Sequence, residues 1–421
     1  MGIDRPALLG TEAVSAHLRS ATATAVDQMA PGVEMTFRAF DLLQRNVWSL
    51  ASGFGLADRM VSIVPFSAVL DFAMRSVEFL GLFSPPREEA FCDWTEFDNK
   101  LRVYRLFENV QEAMALPDHG LNSLAELVRR AGALGNYDRV WATEGAGHYF
   151  AGLQWDRCAP LHNLLSGPAT TSLPAQSLIP LHVGMGTAFA TRSLEGIRAG
   201  GNPNSLGPAV ERFVQLCRSN SRPGYAEAAL EPLGLVVRNL FPDLVLSVDR
   251  ELVRLNSGCA DLFWHGVGRA LYFAPAQFVP CGSERWRAAW TVPPVQLRSL
   301  ARLNAEAGLV WAVTLVNIRH PAVVESLWNR LRSSFAPEAF ANGLASALMA
   351  WEEMSPDDGL VRAFSSYRFA DRGGSSPAWR NHVSPAIYSA LHRVYPEWRK
   401  KQKLGQMFRF WAPPAEGVAG K

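Results

Sequence analysis

His265-Gly-Val-Gly-Arg-Ala-Leu-Tyr-Phe273 is the stretch whose reading decides the fold. Two glycines separated by one residue open an apolar run that stops at Pro275. The same Gly-led or small-residue-led pattern recurs on both sides of it. It reads Glu144-Gly-Ala-Gly-His-Tyr-Phe-Ala151, Val183-Gly-Met-Gly-Thr-Ala-Phe-Ala190 and Tyr225-Ala-Glu-Ala-Ala-Leu230 upstream. Downstream it reads Glu306-Ala-Gly-Leu-Val-Trp-Ala-Val313 and Asn342-Gly-Leu-Ala-Ser-Ala-Leu-Met-Ala-Trp351. With Gly145, Gly184, Ala226, Gly266, Ala307 and Gly343 as anchors, the steps are 39, 42, 40, 41 and 36 residues. A period near 40 is the length of a helix pair, and a fixed period is the signature of a repeat architecture.

A second element alternates with the first. Pro117, Pro242 and Pro321 each precede an amphipathic stretch with a basic end, at Arg129-Arg130, Arg254 and Arg332. Proline fits the first helical turn, where its missing N–H has no partner anyway, and arginine in the last turn faces the negative end of the dipole. Hairpin signals flanked by alternating apolar residues are absent. The expected fold is all-α: helix pairs of period about 40 stacked as an open solenoid or a closed toroid. Residues 1–110 fall outside the period and are expected to form an N-terminal helical subdomain. The repeat region would occupy 111–377, and 378–421 would be a terminal helix with a loose basic and aromatic tail. Gly200 to Gly207 is the best linker signal.

Glycine inside a helix costs about 1 kcal/mol relative to alanine, so its repetition needs a reason. Tight packing between helices is one reason, and a surface left open to a ligand is the other.

Composition narrows the classes further. The chain has 421 residues, 48% hydrophobic and 19% charged, with 41 Lys+Arg against 39 Asp+Glu. That is too apolar for a disordered chain, and a net charge of +2 offers no basic face for nucleic acid. Five cysteines without a CxxC pair argue against a disulfide framework or a zinc site. With no targeting signal at the N-terminus, a cytoplasmic protein is expected. Met60 to Phe83 is apolar but carries Asp71, Arg75 and Glu78, so it reads as a buried helix, with docking on a membrane surface as the alternative. Membrane association is otherwise not expected.

Each Gly-led segment has a polar residue at or beside its start: Glu144, His182, Glu227, His265, Glu306 and Asn342. On equivalent inner helices these would lie at similar depth around one concave surface, with His148 and Arg269 a turn deeper. Trp264 and Trp311 would add aromatic wall. Apolar walls with a few convergent polar groups describe a small-molecule site. Helix N-caps and first-turn acids explain the same positions without any cavity. No GxxxxGK[ST], HExxH, GxSxG or complete GxGxxG occurs. No cofactor and no metal are therefore expected.

The blocks Trp141-Ala-Thr-Glu-Gly-Ala-Gly147, Phe263-Trp-His-Gly-Val-Gly-Arg-Ala-Leu-Tyr-Phe-Ala-Pro275 and Phe340-Ala-Asn-Gly-Leu-Ala-Ser-Ala-Leu-Met-Ala-Trp351 resemble an UnbL-like domain-of-unknown-function family found in enediyne polyketide gene clusters. The resemblance covers about residues 90–395. It implies an accessory protein acting near a long polyene, and it assigns no catalytic residue. The leading expectation is a protein that binds a hydrophobic polyene-like intermediate and cyclises or rearranges it. Glu144, His148, His265 and Glu306 would be the acid/base candidates, and His182, Glu227, Arg269, Trp264, Trp311 and Asn342 the substrate-binding ones. The rival expectation is a non-catalytic helical scaffold for other biosynthetic enzymes.

Overall fold

In the computed structural model the described residues are 88–117, 123–158, 160–198, 205–273, 298–332, 335–368, 377 and 379–411. The segment 60–83, most of the linker 200–207 and the tail beyond 411 lie outside them. Among the described residues about 80% are helical and none is in a strand, so the chain is all-α. The chain divides into two compact units, Met1–Leu101 with Phe278–Gly282, and Arg102–Gln277 with Ser283–Lys421. That division falls at 101/102 rather than at the expected 110/111, and the C-terminal residues belong to the second unit. Helix α1 (Glu88–Glu108) runs across the division. The second unit carries the features described below.

All six anchors are helical. Gly145 lies in α3 (Asn136–Asp156), Gly184 in α4 (Ala175–Arg198), and Ala226 opens the short α6 (Ala226–Leu230), continued by α7 (Pro232–Leu240). Gly266 lies in α9 (Ser257–Phe273), Ala307 in α10 (Ser299–Val316) and Gly343 in α12 (Pro337–Met354). Helices α9, α10 and α12 are buried on every side over most of their length, as expected of helices that are apolar all round.

Amphipathic helices cover these inner ones. They are α2 (Leu124–Gly132) on α3, α5 (Leu206–Asn220) on α4, α8 (Val245–Leu255) on α9 and α11 (Pro321–Leu331) on α10. Pro321 opens α11 as the sequence suggests. Pro242 instead opens a 3₁₀ turn ahead of α8, and α2 starts at Leu124 with Ser123 as its N-cap. Near the end, α13 (Leu360–Ser366) precedes a helical run, 379–400, in which π turns alternate with α turns and which packs on α12. Among the described residues no helix is long and apolar enough to cross a membrane.

The glycines explain how the inner helices meet. A Cβ on Gly184 would run into the Glu144 carbonyl oxygen, and one on Gly147 into that of Leu181, which makes α3 and α4 antiparallel. Gly268 faces the Ala305 carbonyl and Gly308 that of His265, so α9 and α10 are antiparallel as well. Gly266 meets Glu231, Gly234 meets Phe263, and Gly343 meets Ala307 in the same way. Of the two reasons for repeated glycine, backbone-to-backbone packing is the one these positions display.

Candidate functional site

Two residues one helical turn apart on α9, His265 and Arg269, lie on one face of an otherwise apolar helix. That face meets α3 and the junction of α6 with α7. Arg269 Nη2 donates to Glu144 Oε1 over 2.5 Å and Arg269 Nη1 to Glu231 Oε2 over 3.1 Å. The other Glu231 oxygen lies 3.0 Å from His265 Nδ1. Side-chain exposure is 0% for Glu231, 1% for His265, 3% for Arg269 and 9% for Glu144, so solvent screens none of these charges effectively.

Burial pushes the Glu144 carboxyl above the usual carboxylate range, even against the pull of Arg269. Burial acts on Glu231 in the same direction, but Arg269 and His265 outweigh it and hold Glu231 low. Two carboxyls bonded to one guanidinium are thus pushed in opposite directions, Glu144 upward by burial and Glu231 downward by Arg269 and His265. Carboxyls whose environments push them apart are how a protein sets one up as an acid. Trp311 extends the cluster, with Arg269 over its ring at 5.4 Å and the His265 ring at 5.7 Å. His265 Nε2, Arg269 Nε and Trp311 Nε1 are all buried and have no hydrogen-bond partner among the described residues.

The remaining candidates lie elsewhere. Glu306 accepts from Arg302 Nε at 2.7 Å and from the Ala336 N–H at 2.9 Å. Burial raises its carboxyl, but it takes no part in the cluster. His182 is a structural histidine. Its Nδ1 lies 2.6 Å from the Leu178 carbonyl, its Nε2 accepts from the Arg222 N–H at 3.1 Å, and Tyr225 stacks on its ring. Burial lowers its pKa to about 4. His148, also lowered to about 4 by burial, packs against Phe107. Trp264 is buried under α8 and donates to Asp249 there at 2.7 Å.

Glu227 and Asn342 touch the C-terminal segment. Gln406 Nε2 donates to Glu227 at 3.1 Å, and Asn342 Nδ2 donates to the Trp411 carbonyl at 2.6 Å. Residues 404–411 are therefore not a loose tail. Met407 and Phe408 are fully buried, the Phe410 N–H donates to Asn304 Oδ1 at 2.6 Å, and Trp411 Nε1 donates to Ser346 at 2.8 Å.

Glu231 is the residue that the sequence reading missed. It stands one turn after Glu227, the acid chosen for that segment, and directly before Pro232. The i, i+4 spacing put both acids near one face, and nothing in the pattern favoured the deeper one.

Gly147, Phe150, Leu181 and Met185, among other apolar residues, border a gap one turn along α3 from Glu144 that is too tight for a water molecule. Among the described residues no group of three or more His, Cys, Asp or Glu is placed to hold a metal ion. No family model matches the chain, and no curated protein or solved structure matches it.

Proposed function

We propose that the chain is a cytoplasmic accessory protein of bacterial secondary metabolism that binds an apolar, polyene-like polyketide intermediate and cyclises or rearranges it by proton transfer. The observation that carries this reading is the buried Glu144 carboxyl, bonded to Arg269 and pushed upward by burial, beside Glu231, which Arg269 and His265 hold low. A carboxylic acid held neutral in an apolar interior is suited to protonating an alkene or carbonyl that water would not activate. The resemblance to the UnbL-like family supports the substrate class. Glu144 would be the acid, and Arg269, Glu231 and His265 would hold it in place and stabilise the carboxylate formed when the proton leaves.

Glu144→Gln keeps an acceptor for Arg269 but has no acidic proton. In a reconstituted pathway it should abolish the product while the protein stays folded. Normal product from this variant sinks the catalytic reading.

A second reading, the helical scaffold, draws on a different observation. The inner helices touch backbone to backbone, and the gap beside Gly147 is too tight for a water molecule, whereas ordinary ligand sites enclose roughly 300–1,000 Å³. A scaffold would leave product formation insensitive to Glu144→Gln and would co-purify with a pathway enzyme in stable stoichiometry.

A further inference from the structure

The C-terminal segment covers several of the residues that the sequence marks as a ligand-binding face. Phe408 packs on His265 at 6.3 Å and on Trp311 at 5.4 Å. Around it, main-chain groups of the segment are held by side chains of the inner helices. Asn304 on α10 binds the Phe410 N–H, and Asn342 on α12 binds the Trp411 carbonyl. Side chains that grip a partner's main chain, with pockets for its side chains, are how a groove holds an extended peptide.

The fit is incomplete in one respect. A phenylalanine ring offers no hydrogen-bond acceptor to the buried nitrogens of the cluster it covers. Among the described residues, the donors Arg269 Nε and Trp311 Nε1 have no partner, and His265 Nε2 has none either. Buried donors left unsatisfied are unfavourable, and here two of them, Arg269 Nε and Trp311 Nε1, belong to side chains in contact with each other. Arg269 already faces two carboxyls, so another anion would add to negative charge at that point, whereas a neutral oxygen acceptor would not.

We propose that residues 404–411 cover a binding site for a flat, apolar compound bearing a neutral carbonyl, with Phe408 standing where its conjugated portion lies and Arg269 and Trp311 donating to its oxygen. The inference rests on the reading of the chain as a binder of an apolar intermediate, and it names the chemical class. The segment then acts as a strap that the ligand displaces.

The test uses the full chain and two probes, trans-chalcone, a flat conjugated ketone, and trans-stilbene, its near match without the carbonyl. Phe408→Ala should bind chalcone roughly tenfold more tightly than the parent does, with stilbene gaining less, the difference being one hydrogen bond to a buried donor. Adding Trp311→Phe should remove the preference for the ketone. The double variant Asn304→Ala, Asn342→Ala keeps Phe408 but loosens the strap, and it carries the test should Phe408→Ala fail to fold. No gain for chalcone in whichever variant folds, or an equal gain for stilbene, overturns the proposal. Loss of product in Glu144→Gln with no chalcone gain in the other variants would refute this site and leave the reaction standing, and the converse result would do the reverse.

Discussion

Arg269 and Glu144, 125 residues apart in sequence, meet over 2.5 Å in the interior, and the same guanidinium reaches Glu231 through its other terminal nitrogen. A single cation therefore ties α3 and the α6–α7 junction to α9. Removing one member of a buried ionic group strands the others, which costs more than the group contributes when intact. Arg269→Met should lower stability by about 3–5 kcal/mol in urea unfolding. Adding Glu144→Gln to that variant should recover part of the loss. Strict additivity of the two changes would show that the residues are not coupled.

The glycine contacts separate into two kinds. Gly268 has the Ala305 carbonyl where a Cβ would be, whereas Gly152, on the same helix as Glu144, has nothing within 4 Å. Gly152→Ala should therefore stabilise by about 0.5–1 kcal/mol through helix propensity. Gly268→Ala should instead destabilise by about 1–3 kcal/mol, because backbone must move. Thermal unfolding of the two variants side by side gives the sign of each.

His182 predicts a pH dependence. Its pKa in the folded chain is pushed down to about 4, from the ordinary 6.5, because burial disfavours the imidazolium. The unfolded chain thus binds the proton that the folded chain refuses. The contribution is fully present above about pH 6.5 and is lost as pH falls toward 4, by about 2–3 kcal/mol. His182→Gln should flatten the stability curve between those limits. An unchanged slope would mean that His182 titrates normally in the folded protein.

Tyr137 tests a single long-range bond. Its hydroxyl, in the first turn of α3, donates to the Val316 carbonyl at the end of α10 over 2.6 Å. Tyr137→Phe should cost about 1–2 kcal/mol by leaving a buried carbonyl unsatisfied. A change below half a kcal/mol would indicate that another donor replaces it.

The helices were legible because the inner ones are apolar all round and carry their glycines at regular intervals. Their site was legible only in part. The polar candidates were chosen by their offset from a glycine, and offset does not determine which face a residue occupies. Glu306 and Trp311 are five residues apart, which places them about 140° apart around α10, so they cannot both look at the same cluster. Trp311 joins Arg269, and Glu306 faces Arg302 and the start of α12. The antiparallel pairing of α9 with α10 was equally hidden, because a repeat read along the chain does not reveal the directions in which its units run. The docking of 404–411 uses Asn342 and Ser346 from one repeated segment, but also Asn304 and Phe408, which belong to no periodic pattern.

The span between Glu144 and Arg269 also has a consequence for synthesis. A ribosome adding about 5–20 residues per second needs roughly 6–25 s to make the 125 residues between them. During that interval α3 has left the ribosome, or is leaving it, without the cation that its carboxyl meets in the finished protein. Glu144 stays without its Arg269 partner until α9 arrives. Phe408 comes later still, so the last aromatic side chain to settle on Trp311 is among the last to be synthesised.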